Sequence, residues 1–148
     1  MVDDLYQDLI LDHSKHPRNC HAMDDATRKA EGYNPLCGDK LRLYIKMDGD
    51  VVKDASFVGS GCAISTASAS LMTESLKGKT REEALKLLDK FHDLLTTDTP
   101  VTKDLGKLVV FCGVRDYPAR VKCATLAWHT LKSALNGATD PVTTEESL

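Results

Sequence analysis

The chain has 148 residues and a net charge of −3, from 19 basic and 22 acidic side chains. This length suits a single domain, 1–148, with a real hydrophobic core, and 42% hydrophobic against 28% charged residues is an ordinary globular balance. No basic block marks a nucleic-acid partner, no apolar run is long enough for a membrane span, and the acidic start Met1-Val2-Asp3-Asp4 lacks a signal-peptide apolar region, so a cytoplasmic protein is expected.

Asp3 or Asp4 is placed to cap a first helix with Leu5, Leu9 and Ile10 on one face. His16-Pro17 ends it, because the residue before proline avoids the helical region. After a polar loop, a short strand is expected to run to Tyr33. Residues 41–47 and 51–58 form a strand pair: Leu41, Leu43 and Ile45 alternate with Arg42, Tyr44 and Lys46, and Asp48-Gly49 supplies the hairpin turn. Cys62 to Leu76, rich in Ala and Ser, reads as a closely packed helix ended by Gly78. Thr80 with Glu83 is a capping-box pattern, opening a helix with Ala84, Leu88, Phe91 and Leu95 on one stripe. Leu105 to Phe111 fits a helix or a strand. Asp116 is placed to cap a last helix, with Pro118 in its first turn and Val121, Ala124, Trp128, Leu131 and Leu135 on its apolar face. Residues 1–3 and 137–148 read as flexible ends. Strands followed by helices predict an α+β domain.

Five cysteines in a chain without a secretion signal point to metal or thiol chemistry rather than a disulfide framework. Three of them have special settings. Cys37 and Asp39 lie in Asn34-Pro35-Leu36-Cys37-Gly38-Asp39, two residues apart at the entry to a strand, where a period of two puts both side chains on one face. Cys62 follows Gly59-Ser60-Gly61 and starts a helix, where unpaired N–H groups favour a thiolate. Cys123 lies early in the last helix. Taken singly, a cysteine is usually a small buried hydrophobe, and no Cys-x-x-Cys pair is present. Taken together, three thiols and one acid match a tetrahedral zinc site, and equally an iron–sulfur cluster.

The other candidates are weaker. Cys20 and Cys112 have unremarkable settings. His13, His16 and His21 read as solvated or capping residues, with zinc ligation as the alternative, and His92 and His129 as exposed ones. Gly59-Ser60-Gly61 lacks the Lys-Ser/Thr of a phosphate loop, and Ser65 has no evident base. Arg120 and Lys122 flank Cys123; Arg120 is a solvated helix edge, or a cation that favours a neighbouring thiolate or pairs with a persulfide anion.

The segments Tyr6–Asn19, Asn34–Asp39, Gly59–Glu74 and Pro118–Trp128 together resemble the SufU-type members of the IscU/NifU-N family of iron–sulfur assembly proteins. The resemblance implies a small antiparallel three-stranded sheet packed by about five helices. It also implies metal ligation by Cys37, Asp39, Cys62 and Cys123. Scaffold-type members carry a His directly before the last Cys, where this chain has Lys122. They carry Leu-Pro-Pro-Val-Lys where this chain has Tyr117-Pro118-Ala119-Arg120-Val121. The departures favour the SufU-type role, a zinc-dependent sulfurtransferase that accepts persulfide sulfur from a SufS-type cysteine desulfurase and serves downstream iron–sulfur assembly proteins. In that role Cys37 is the nucleophile and Arg120 steadies the anionic sulfur. The alternative is an IscU-like scaffold that binds a transient 2Fe–2S cluster or iron.

Overall fold

The computed structural model describes residues 2–35, 38–96, 103–114, 117–137 and 142–143. Helix α1 (Val2–Lys15) leads into strands β1 (Arg28–Asn34), β2 (Asp39–Asp48) and β3 (Val51–Ser60). Helices α2 (Ala63–Leu76) and α3 (Arg81–Thr96), a 3-10 helix (Lys103–Val114), helix α4 (Pro118–Leu135) and strand β4 (Val142–Thr143) follow. α1 begins ahead of Asp3 and Asp4, so neither acid is its cap; both lie in its first turn.

The expected antiparallel three-stranded sheet is present. β1 pairs with β2 from Arg28↔Ile45 to Asn34↔Asp39, and β2 pairs with β3 from Lys40↔Ser60 to Asp48↔Val51. Leu41, Leu43 and Ile45 are buried while Lys40 and Arg42 are exposed, as alternation requires. Tyr44 departs from the pattern: it is buried as well, with the Lys29 ammonium 5.8 Å from its ring centre. One addition was not expected. Within 137–148, read as a flexible end, Val142 and Thr143 pair in parallel with Gly32 and Tyr33, giving the order β3-β2-β1-β4.

The helical layer is built around α4. Its residues 123–128 are all buried, because one side packs on β1 and β2 and the others on α2 and α3. β1 and α4 approach so closely at Gly32 that a Cβ there would overlap Thr130 Oγ1. Trp128 stacks on Phe91 at 4.6 Å, and Phe91 meets Phe111 edge-on at 5.7 Å, joining α4, α3 and the 3-10 helix. The Ser/Ala run of α2 does pack closely: Ser68 Oγ donates to the Ala124 carbonyl at 2.6 Å and accepts the Trp128 indole N–H at 3.1 Å.

Local signals account for the boundaries. The Thr80 N–H donates to Glu83 Oε1 and the Glu83 N–H to Thr80 Oγ1, both at 3.1 Å, a complete capping box. The ambiguous stretch after residue 103 is a 3-10 helix, interrupted at Gly106 (φ 53°, ψ −129°). Pro118 occupies the first turn of α4 as expected. Asp116, its expected cap, lies outside the described residues, and Tyr117 at the cap position makes no side-chain capping bond. Among the described residues no helix is long and apolar enough to cross a membrane.

Candidate metal centre

Three elements end at one place. β2 begins at Asp39, α2 begins just after Cys62, and α4 contributes Cys123 from its second turn. A ligand atom of each, the Asp39 carboxylate oxygen and the two sulfurs, lies within 4.8 Å of the others. Asp39 is 1% exposed and Cys123 3%, while Cys62 is half-buried at the rim.

Each side chain is held by identifiable bonds. Cys62 has an extended backbone (φ −73°, ψ 169°) as the N-cap of α2, and its Sγ accepts the Ser65 N–H at 3.4 Å. The Cys62 N–H donates to Asp39 Oδ1 at 2.9 Å, and Cys62 Sγ stands 3.9 Å from Asp39 Oδ2. Gly61 is required by this closeness: a Cβ there would lie 2.5 Å from Asp39 Oδ1. Asn34 Nδ2 donates to Asp39 Oδ2 at 3.3 Å and to Cys123 Sγ at 3.4 Å.

These residues fit a zinc ion. Zinc takes thiolate, imidazole and carboxylate ligands in a tetrahedron, with bonds of about 2.3 Å to sulfur and about 2.0 Å to oxygen, so neighbouring ligand atoms stand roughly 3.5 Å apart. The 3.9 Å between Cys62 Sγ and Asp39 Oδ2 is close to that edge. Buried Asp39 already accepts N–H donors from Cys62 and Asn34, and a cation between it and the two sulfurs would offset its charge further.

Cys37 lies outside the described residues. Its neighbours are informative: Asn34 and Asp39 face each other across β1 and β2, and Gly38 has φ 71°, the left-handed conformation that favours glycine. Asp39 opens β2, and the expected strand relation between residues 37 and 39 falls partly outside the described residues. Arg120 is exposed, its guanidinium 4.7 Å from the centre of the Tyr117 ring. It lines a cavity of about 300 Å³ with Gln7, Ile10, Ile64, Val110 and Tyr117.

Two histidine expectations are corrected. His13 is fully buried, not solvated: its Nδ1 is 2.7 Å from Ser70 Oγ, because α1 packs directly on the small residues of α2. His129 is half-buried between α3 and α4, and burial, followed by the nearby His92, lowers its pKa. Cys20 is exposed and Cys112 half-buried, and neither belongs to the cluster. Asn34 joins the site although residue type alone does not single it out; its signal in the sequence is its place at the start of the Asn-Pro-Leu-Cys-Gly-Asp motif.

The NifU-like N-terminal domain model matches residues 5–135. The chain belongs to the NifU-like N-terminal domain family. Within that family it is 44% identical to the zinc-dependent sulfurtransferase SufU of Bacillus subtilis (strain 168), over 90% of this chain and 91% of the relative. It is 42% identical to the iron–sulfur cluster assembly scaffold protein IscU of Streptococcus pyogenes serotype M1, over 90% of this chain and 84% of that one. The NifU-like N-terminal fold is also that of the crystal structure of a nitrogen-fixing NifU-like protein from Brucella abortus, with a TM-score of 0.81 at 25% identity and 99% of both chains covered.

Proposed function

We propose that the chain is a zinc-dependent sulfurtransferase that accepts persulfide sulfur from a cysteine desulfurase for iron–sulfur cluster assembly. The observation that carries this reading is the convergence of Asp39, Cys62 and Cys123, a buried acid and two thiols from three elements, with ligand atoms within 4.8 Å of one another. The similarity to the Bacillus subtilis zinc-dependent sulfurtransferase supports it. So does Lys122 before Cys123, where scaffold-type members of the family carry His.

In this reading Cys37, Asp39, Cys62 and Cys123 hold the zinc. When bound, zinc keeps coordinated thiols deprotonated at neutral pH. The Cys37 thiolate attacks the outer sulfur of the donor's persulfide. A sulfur–sulfur bond forms at Cys37, the bond inside the donor persulfide breaks, and the donor cysteine leaves as a thiolate, so no external oxidant or reductant is needed. Cys37 is the acceptor because it is next to Gly38, whose φ is positive, whereas Cys62 is fixed as the N-cap of α2 and Cys123 lies within α4. Asp39 has no sulfur to carry. Arg120, three residues before Cys123 and exposed, steadies the anionic sulfur once the donor docks. The donor is a SufS-type desulfurase, and the location is the cytoplasm.

The test is to react the purified protein with a cysteine desulfurase and L-cysteine, map the added sulfur by mass spectrometry, and measure zinc on the same sample. One zinc per chain and sulfur mainly on Cys37 are expected. Sulfur found mainly on Cys62 or Cys123, or full transfer by Cys37→Ala, would refute the assignment. A brown, iron-loaded protein as purified would favour the cluster scaffold.

A further inference from the structure

Asn34 closes β1 and is fully buried, yet it touches two members of the metal cluster at once. Its Nδ2 is 3.3 Å from Asp39 Oδ2 and 3.4 Å from Cys123 Sγ. An amide nitrogen carries two protons, one for each acceptor. The amide cannot profitably be turned around, because its oxygen would then face the Asp39 carboxylate oxygen, an acceptor with no proton to give. The opposite oxygen of Asp39 is held by the Cys62 N–H at 2.9 Å. The carboxylate is therefore gripped at both oxygens, by β1 on one side and by the start of α2 on the other.

We propose that Asn34 is a positioning residue. Its amide sets Asp39 and Cys123 at a fixed mutual distance, so the site is formed before the metal arrives. The inference rests on the zinc reading above. A turn residue would satisfy its own backbone, whereas this side chain reaches across to β2 and, 89 residues along the chain, to α4. Groups that orient metal ligands in this way commonly change metal affinity 10- to 100-fold when removed. The amide adds no charge to a site already rich in thiolates and carboxylate, and its N–H donors offset part of the negative charge gathered there.

The test compares the wild type with Asn34→Ala and with Asn34→Leu, which fills similar space but donates nothing. Zinc affinity is measured by competition with a chromophoric chelator, and the ligand field by the absorption of the cobalt-substituted protein. Both variants should bind zinc about 10- to 100-fold more weakly, with a shifted sulfur-to-cobalt charge-transfer band. A merely space-filling Asn34 would move neither reading in Asn34→Leu. Zinc affinity within twofold of the wild type and an unchanged cobalt spectrum, in whichever variant folds, would overturn the proposal. If neither folds, nitrogen-15 NMR of the wild type decides. The Asn34 side-chain amide protons should be slow to exchange in the metal-free protein and should shift on adding zinc; fast exchange with no shift would overturn the proposal. A wild type that takes up no zinc would overturn this proposal and the zinc reading together. A wild type that holds zinc beside variants that hold it equally well would overturn this proposal alone.

Discussion

The Cys62 N–H donates to Asp39 Oδ1 at 2.9 Å, across 23 residues of chain, while Cys62 Sγ stands 3.9 Å from the other oxygen of the same carboxylate. One residue thus meets Asp39 twice, with a backbone donor and a side-chain sulfur. The start of α2 is docked on the start of β2 by the groups that would share a metal.

Gly61 makes that contact possible, because a methyl group at this position would stand 2.5 Å from Asp39 Oδ1. Gly61→Ala should push the carboxylate off its two donors. We expect a destabilisation of about 1–3 kcal/mol from overpacking, measured by denaturant unfolding of the metal-free protein. Zinc affinity should fall about tenfold or more, as when a supporting contact of a metal ligand is lost, measured by chelator competition. Unchanged affinity would mean that the acid is not held in place for a metal.

Zinc that binds only the folded state must stabilise it, by an amount that grows with free zinc over the dissociation constant. A strong chelator should therefore lower the melting temperature of the wild type and leave that of Cys62→Ser unmoved. The double variant Cys20→Ser/Cys112→Ser should behave like the wild type, because these two cysteines lie outside the cluster. A double variant without zinc would relocate the site.

His13 predicts a pH dependence with a definite sign. Burial lowers its pKa from the ordinary value, and Arg18 and, least, Lys107 add to this, against Glu74 and Asp12. The folded state therefore prefers neutral imidazole. The stability it contributes is complete above the unfolded pKa, near 6.5, and is lost as pH falls from there toward the depressed folded pKa. Metal-free protein should unfold more easily at pH 5.5 than at pH 7.5, and His13→Gln should flatten that slope in part. Half-buried His129 contributes with the same sign. An identical slope in His13→Gln would exclude His13 as a source.

Ser68 joins α2 to α4 through the Ala124 carbonyl and the Trp128 indole, inside the core. Ser68→Ala leaves the buried indole N–H without this acceptor. A loss of about 1–3 kcal/mol is expected, the usual cost of an unsatisfied buried polar group. It is measured by urea unfolding at constant m-value, and a loss below about 0.5 kcal/mol would show that the two bonds are replaced.

The elements were legible where local chemistry decides them. Period-two alternation marked β2, the Thr80–Glu83 pair marked the start of α3, and Pro118 marked the start of α4, because each is a short-range preference of the backbone. Asp39, Cys62 and Cys123 could be named as candidates from residue type and setting. That they meet was decided by the docking of β2, α2 and α4, since no local rule relates residues 39, 62 and 123. The same holds for Asn34, whose reach to Cys123 spans 89 residues, and for His13, whose polar character concealed its burial against Ser70. It holds too for the pairing of Val142 with Gly32, a contact between distant parts of the chain. Amino-acid pattern alone determined the hairpin, the helices with clear local signals and the candidate ligand residue types. Only tertiary packing decided which side chains are desolvated together, because burial and hydrogen-bond partners depend on segments far apart in sequence.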